Sequence, residues 1–189
     1  MKKLFTILAI AFSLQGCIFV AGAAAGAAGV AVVYDHRKLE KILLDEKLAK
    51  NAAARLNQNI QIKENSHIEV TCFNQVVLLT GQANNASIRQ EAEDTVRSVP
   101  EIKRIYNQIA IKRAASSLTQ ASDSWITTKI KTEMLATKGL KSGTIKVVTE
   151  NGTVYLMGTV NRDQADIAVD IARQVQGVQR VMKIFQYTN

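Results

Sequence analysis

The residues that could carry catalysis or hold a metal ion are few and are not arranged for either task. His36 and His67 are 31 residues apart in the chain, and no cluster of Cys, His and Asp lies around either of them at the spacing of a metal site. Glu91, Glu93 and Asp94 cluster, but their spacing places them on the solvent side of a predicted helix. The sequence contains neither a GxSxG nucleophile elbow nor a glycine-lysine phosphate-binding loop. We therefore expect no enzyme activity, no metal, no cofactor and no small-molecule substrate.

A cysteine near the N-terminus predicts covalent lipid attachment. Lys2 and Lys3 precede an apolar run over residues 4–14, which has the length of a signal-peptide core and is too short to span a bilayer. Leu14-Gln15-Gly16-Cys17 then resembles a bacterial lipobox, in which the cysteine becomes the acylated first residue. We expect lipidation at Cys17 after removal of residues 1–16. Because the next residue is Ile and not the Asp that retains such proteins in the inner membrane, the lipobox resemblance implies a lipid anchor in the outer membrane, facing the periplasm.

The composition excludes several classes of protein. With 47% hydrophobic residues and one Pro in 189 residues, the chain is not disordered. Its two cysteines, Cys17 and Cys72, exclude a disulfide scaffold, and we expect Cys72 to be a small buried side chain in a strand. The net charge of +8 favours an anionic partner. Because export separates the chain from nucleic acid, we expect anionic phospholipid or cell-wall material as that partner, and no nucleic acid.

Residues 17–44 are predicted to be a lipidated N-terminus and tether. Their Ala- and Gly-rich part, residues 18–33, falls short of a membrane span. The spacing of Gly22 and Gly26 also fits a close-packing helix, so both interpretations stay open.

An internal repeat organises the rest of the chain. Ile68-Glu69-Val70-Thr71 recurs as Ile145-Lys146-Val147-Val148, and residues 74–81 recur as 151–158. In each copy a helical period is followed by a hairpin, a second helix and a last strand, and Asn151-Gly152 is a strong signal for a type I′ turn. The sequence predicts an α+β fold of two tandem α-β-β-α-β domains, each with two helices on a three-stranded mixed sheet.

The repeat also sets the domain boundaries. The two copies extend over residues 45–112 and 123–189, and a short linker rich in Ser and Ala, residues 113–122, joins them. Because each copy alone would bury only a small core, we expect the two domains to stay close.

Capping residues predict where two helices begin. Ser122-Asp123-Ser124 supplies N-cap side chains for a helix from Trp125 to Lys138. Asn161, followed by Gln164, predicts a capping box at the second helix of the same copy.

The repeated unit resembles the BON domain. Its hairpin closes on Val-x-Leu-x-Gly, seen in Val154-Tyr155-Leu156-Met157-Gly158 and more loosely in Val77-Leu78-Leu79-Thr80-Gly81. A lipobox followed by two such units is similar to the dual BON-domain outer-membrane lipoproteins, the DolP family, and residues 123–129 carry the best match. The resemblance implies a non-enzymatic protein that binds anionic phospholipid, chiefly phosphatidylglycerol, through the first helix of its second domain. It also implies a role in outer-membrane integrity and a concentration at division sites.

The predicted first helix of the second copy has a face that fits this role. Ile126, Ile130 and Met134 form its core stripe, and the opposite side carries the single Trp of the chain with Lys at its rim. Trp favours the headgroup boundary, and Lys is attracted to an anionic surface. The first copy has Lys47 where the second has Trp125. We predict that the following residues contact phospholipid: Trp125, Thr128, Lys129, Lys131, Thr132, Leu135 and Ala136.

Two alternatives stay open at this point. Trp125 could be buried, either as a plug against the first copy or as a cap on the core of its own domain. The same surface, or the exposed hairpin edges, could instead bind a protein of outer-membrane assembly or a cell-wall remodelling factor.

Overall fold

The computed structural model describes residues 39–112 and 116–188. All of them belong to one compact unit, Arg37–Asn189. The predicted signal peptide, the predicted lipidation site at Cys17 and the predicted tether up to residue 38 lie outside the described residues.

The first repeat folds as three helices, one of them only six residues long, on one mixed sheet. Strands β1 and β2 form an antiparallel hairpin, and the short strands β3 and β4 pair in parallel with the other side of β2. The single last strand that the sequence predicts is thus interrupted, because the Asn107 side chain accepts a hydrogen bond from the N–H of Ile109 and competes with the ladder. The elements are α1 (Leu39–Gln58), α2 (Ile60–Asn65), β1 (Ser66–Phe73), β2 (Val76–Ala83), α3 (Ala86–Arg97), β3 (Arg104–Asn107) and β4 (Ala110–Ile111).

The second repeat has the same topology with an uninterrupted last strand. Its strand order is β5-β6-β7, with the first pair antiparallel and the second parallel. The predicted α+β fold class is confirmed in both repeats, and the α-β-β-α-β order is confirmed with one additional helix, α2, in the first repeat. The elements are α4 (Ser117–Ala136), a 3₁₀ turn (Ser142–Thr144), β5 (Ile145–Glu150), β6 (Thr153–Val160), α5 (Arg162–Gln174) and β7 (Arg180–Tyr187).

Helix α4 begins earlier than the sequence predicted. Its N-cap is Ser116, whose Oγ accepts a hydrogen bond from the N–H of Thr119 at 3.2 Å, so residues 117–122 of the predicted linker are helical. The prediction that Ser122-Asp123-Ser124 caps the helix was wrong, because these residues lie within it. The earlier serine caps the helix, and the carboxylate of Asp123 serves a different purpose, described below.

The second helix of this repeat begins at the predicted cap, but the capping box is incomplete. The Asn161 side chain accepts a hydrogen bond from the N–H of Gln164 at 2.9 Å, as predicted. The Gln164 side chain does not return the bond. It accepts from the N–H of Lys141 at 2.7 Å and donates to the carbonyl of Gly139 at 2.8 Å, and so it holds the loop that follows α4.

Each repeat has its own core between helices and sheet. The predicted stripe of Ile126, Ile130 and Met134 is confirmed as the buried side of α4, and α1 has an equivalent stripe. In the first repeat the stripe is Leu48, Ala52 and Leu56, packed on Val77, Leu79 and the buried face of α3. In the second it is Ile126, Ile130 and Met134, packed on Val147, Leu156 and the buried face of α5.

A third apolar cluster lies between the two sheets. Alternate residues of a strand point to opposite faces, so β2 sends Leu78 away from its own core and β6 sends Tyr155 and Met157 away from the other. These side chains pack together with Phe73 and Ile184. Strand β2 is consequently buried on both faces along its whole length. The two repeats therefore share a core through the backs of their sheets.

The glycine of the hairpin motif is required by a close approach between strands. A Cβ atom at Gly158 would lie 2.7 Å from the carbonyl oxygen of Thr144, and one at Gly81 would lie 2.0 Å from that of His67. Any larger residue would have to push the neighbouring backbone away.

Helix α4 is the element that carries the predicted site, and it does not cross a membrane. Among the helices in the described part of the chain, none combines the length and the apolar character that a membrane span needs.

Candidate functional site

Helix α4 is held to the sheet by one buried side. Ile126, Ile130 and Met134 are at most 1% exposed, and they face β5, β6 and α5. Because helix positions three and four residues apart share a side, this packing turns the opposite side of α4 to solvent.

A buried carboxylate fixes α4 against the hairpin. Asp123 is 7% exposed. Its two carboxylate oxygens accept hydrogen bonds from the backbone N–H groups of Asn151, at 2.7 Å, and Gly152, at 2.9 Å. Both turn residues have positive φ, as the predicted type I′ turn requires. Hydrogen bonds to an ionised carboxylate are stronger than neutral ones, so Asp123 sets the position of the helix on the sheet.

The first repeat has the same device. The Asp45 carboxylate accepts hydrogen bonds from the N–H groups of Asn74, at 2.7 Å, and Gln75, at 2.8 Å. This pair of aspartates is not among the predicted site residues, although the repeat contains a signal for it. Asp45 and Asp123 each precede the first residue of a buried helix stripe, Leu48 or Ile126, by three positions.

The side of α4 that faces solvent carries the predicted residues. Trp125 and Leu135 are each 52% exposed. The other predicted residues are exposed as well: Thr128, Lys129, Lys131, Thr132 and Ala136. The alternative in which Trp125 is a buried plug between the repeats, or a cap on the core, does not fit this exposure.

The exposed stripe is longer than the sequence predicted. Because α4 begins at Ser117, Leu118 and Ala121 are helical and lie on the same side as Trp125. Leu118 is 83% exposed. The spacing of three and four residues continues from Leu118 to Leu135, so the stripe runs along the whole helix, about 30 Å for twenty residues. Leu118 is not among the predicted site residues because its segment, rich in Ser and Ala, has the composition of a linker. We call Leu118, Ala121, Trp125, Thr128, Thr132 and Leu135 the outer stripe.

The hydroxyl groups of the outer stripe donate to the helix itself. Thr128 Oγ1 donates to the carbonyl of Ser124, and Thr132 Oγ1 donates to that of Thr128, each at 2.9 Å. An unsatisfied donor would oppose transfer into an apolar environment. Since these donors already have acceptors, the two threonines can enter a less polar medium at a lower cost in free energy.

The charged residues that flank the outer stripe, which we call its rim, are mainly cationic. Asp123 points inward, so Glu133 is the one outward acid of α4, and it pairs with Lys129 at 3.1 Å. An exposed pair of this kind is weak. Lys131 and Lys138 are exposed on the same helix and just after it, without a partner carboxylate on α4.

Residues 39–112 and 116–188 contain no group of three His, Cys, Asp or Glu side chains that could hold a metal ion. Cys72 is buried in β1, as predicted, and its Sγ donates to the Asp45 carboxylate at 3.4 Å. Burial, followed by the charge of Asp45, raises the pKa of the Cys72 thiol to about 12.

Comparison with known proteins identifies the repeated unit. The model of the BON domain family matches residues 44–113 and 122–189. The chain is 33% identical over 187 residues to "Outer membrane lipoprotein DolP" of Haemophilus influenzae, an alignment that covers 99% of this chain and 96% of the relative. It is 38% identical over 143 residues to the "21 kDa hemolysin" of Actinobacillus pleuropneumoniae, covering 76% of this chain and 74% of the relative. It is 29% identical over 157 residues to "Osmotically-inducible protein Y" of Escherichia coli, an alignment that covers 82% of this chain and 78% of the relative. The chain therefore belongs to the BON-domain family, as a dual BON-domain outer-membrane lipoprotein of the DolP type.

Proposed function

We propose that this protein is a non-enzymatic, lipid-anchored protein on the periplasmic side of the outer membrane, and that it binds anionic phospholipid through the outer stripe of α4. The observation that carries the proposal is the exposure of Trp125 and Leu135 on a helix whose opposite side is fixed by a buried core and by Asp123. From the family resemblance we further propose that this binding supports outer-membrane integrity and concentrates the protein at division sites.

The geometry suits a helix that lies flat on a membrane. An amphipathic helix of this kind places its apolar side at the boundary between headgroups and acyl chains, with lysines at the level of the phosphates. Trp125 prefers that boundary, and Leu118 and Leu135 would reach it at opposite ends of the helix.

The lysines of the rim should make the protein bind anionic phospholipid more tightly than zwitterionic phospholipid. Each lysine near an anionic surface contributes about 1 kcal/mol. Lys131 and Lys138 therefore add a modest attraction, which salt screens over about 8 Å at physiological ionic strength. A zwitterionic surface would lack this contribution.

Binding through α4 alone would be weak and reversible, and the lipid anchor compensates for that. Acylation at Cys17 would hold the domains close to the bilayer, and a tethered site works at a high effective concentration. The acyl chains would provide attachment, while α4 would provide the selection of lipid.

Flotation with lipid vesicles tests the proposal. We would use the predicted mature chain, residues 17–189 with Cys17→Ser, so that no acyl chain contributes. Vesicles of phosphatidylglycerol should carry the protein upward at low salt, and phosphatidylcholine vesicles should not. Lys131→Glu should weaken flotation, whereas the matched variant Lys63→Glu, an exposed lysine of α2, should not.

Two results would contradict the proposal. One is equal flotation with both lipids, and the other is an equal loss with Lys131→Glu and Lys63→Glu. If the protein floats with neither kind of vesicle, the result would favour the alternative, in which the outer stripe binds an outer-membrane assembly protein or a cell-wall protein.

A further inference from the structure

A cleft of ≈ 250 Å³ lies where the edges of the two sheets meet. The first domain lines it with Lys103, Arg104 and Tyr106, and the second with Ile184, Phe185 and Gln186. Neither domain forms this cleft alone, and it is separate from the outer stripe.

The cleft exposes the edge of a strand. Strand β7 is at the edge of the second sheet, and among the described residues β6 is the one strand that pairs with it. Consecutive strand residues point to opposite faces, so a cleft that touches Ile184, Phe185 and Gln186 in a row must meet β7 along its outer edge. The main-chain N–H and C=O groups of such an edge can pair with an additional strand.

The charges around the cleft are of one sign. Lys103 and Arg104 line it, and none of the lining residues is acidic. Arg180 and Lys183, both exposed, lie on the same edge strand. These cations attract carboxylates, and they would repel a second copy of this chain that approached edge to edge.

We propose that this cleft binds an extended acidic segment of another envelope protein, which adds as a strand to the outer edge of β7. Strand addition gains its affinity from main-chain hydrogen bonds and its selectivity from pockets for alternate side chains. One apolar side chain of the segment enters the cleft beside Ile184, on the face of β7 that also meets Tyr106. Its carboxylates lie against Lys103 and Arg104.

This site can be occupied while α4 contacts lipid. Helix α4 packs on β5, which is the opposite edge strand of the second sheet from β7. The outer stripe and the cleft therefore lie on different sides of the domain. A failure of one proposal leaves the other standing, because each test uses a different ligand and different residues.

Peptide titration followed by NMR tests the inference. The ¹⁵N-labelled mature chain, residues 17–189 with Cys17→Ser, is titrated with a blocked eight-residue peptide that alternates Glu and Val. A peptide that alternates Lys and Val is the control. The acidic peptide alone should shift the amide signals of residues 103–106 and 184–186. Arg104→Glu should raise its Kd about tenfold, as expected when a close opposite charge is reversed, and Lys63→Glu should leave the Kd unchanged.

Several outcomes would overturn the inference. One is the absence of shifts up to about 1 mM peptide, the weak end of specific binding. Others are shifts outside these residues, or equal binding of the basic peptide. If inorganic phosphate produces the same shifts at the same concentration, the cleft is a site for small anions and not for a strand. If the chain alone shows concentration-dependent shifts at β7, a second copy covers the edge.

Discussion

Asp123 and Trp125 lie two residues apart on α4 and face opposite sides of the helix. Asp123 is 7% exposed and binds the hairpin turn, whereas Trp125 is 52% exposed and faces solvent. The buried carboxylate fixes how the helix is rotated about its axis, and this rotation directs the indole outward. Asp123 therefore serves the position of the helix, and Trp125 serves the proposed lipid binding, so that the two roles can be tested by separate substitutions.

Leucines at the two ends of the outer stripe should contribute to lipid binding without contributing to folding. We expect Leu118→Ser and Leu135→Ser each to weaken flotation with phosphatidylglycerol vesicles about five- to tenfold, because a Leu side chain moved from water to an apolar medium gains about 1.5–3 kcal/mol and these would be only partly inserted. The free energy of unfolding should change little, since both side chains are exposed.

Helix α1 provides matched controls for these variants. Leu39 and Leu43 are 56% and 54% exposed, so Leu39→Ser and Leu43→Ser make the same chemical change on another helix. Flotation of these controls should equal that of the unchanged chain. An equal loss in all four variants would show that the outer stripe has no special part in binding.

The buried aspartate should contribute mainly to stability. Asp123→Ala removes the acceptor from two backbone N–H groups, and we expect it to lower the free energy of unfolding by about 2–4 kcal/mol. Urea unfolding followed by the fluorescence of Trp125 reports on this domain. Asp166→Ala, an exposed acid of α5, is the control and should cost little. Equal urea midpoints for the two variants would show that Asp123 does not fix α4 to the hairpin.

Stability should also depend on the protonation of Glu150. This residue lies between the domains, where its carboxylate accepts hydrogen bonds from Gln82 and Asn151. Burial raises the pKa of Glu150, and the charges of Asp123 and Glu69 raise it further. A raised pKa means that the folded state holds a proton at pH values where the unfolded state has lost it. Stability from this group is thus complete below the ordinary pKa of about 4.5 and is lost as the pH rises through the folded value.

Glu150→Gln should reproduce the protonated state. The variant should melt at a higher temperature than the unchanged chain at pH 7.5, and the difference should shrink as the pH approaches 4.5. Thermal unfolding by circular dichroism at the two pH values measures it. A variant that melts lower at pH 7.5, or a difference independent of pH, would rule out the titration of Glu150 as the cause.

Cys72 should remain an unreactive thiol. It is 2% exposed and its pKa is raised to about 12, so almost no thiolate is present at pH 8. With Cys17→Ser, the folded chain should react with Ellman's reagent at least about a hundredfold more slowly than the chain in urea. Rapid reaction of the folded protein would show that β1 opens readily at this position.

The fold could be predicted because the same pattern of helices and strands occurs in both copies of the repeat. Buried stripes at helical spacing, and Asn151-Gly152 between two apolar runs, determine both the elements and their order. The start of α4 was missed because Ser, Thr and Ala near residue 117 are compatible with a linker, and Ser122-Asp123-Ser124 resembles a cap. Only the hairpin contact, which joins residues distant in sequence, distinguishes a buried Asp from a capping one.

The outer face of α4 could be predicted from the sequence, whereas the cleft could not. A helical period is local, so the positions of Trp125 and Leu135 follow from the residues around them. The cleft depends on how two sheets pack back to back, through side chains such as Leu78 and Tyr155. The apolar run in β2 was a signal that this strand is buried on both faces, but it did not identify the partner surface.

The fluorescence of Trp125, the single tryptophan of the chain, tests the central claim most directly. The mature chain with Cys17→Ser would be titrated with phosphatidylglycerol vesicles and, separately, with phosphatidylcholine vesicles. We predict a blue shift with phosphatidylglycerol alone, because the half-exposed indole would leave water for the headgroup boundary, and a smaller shift at high salt. An emission maximum that stays constant with both lipids would contradict lipid binding by α4.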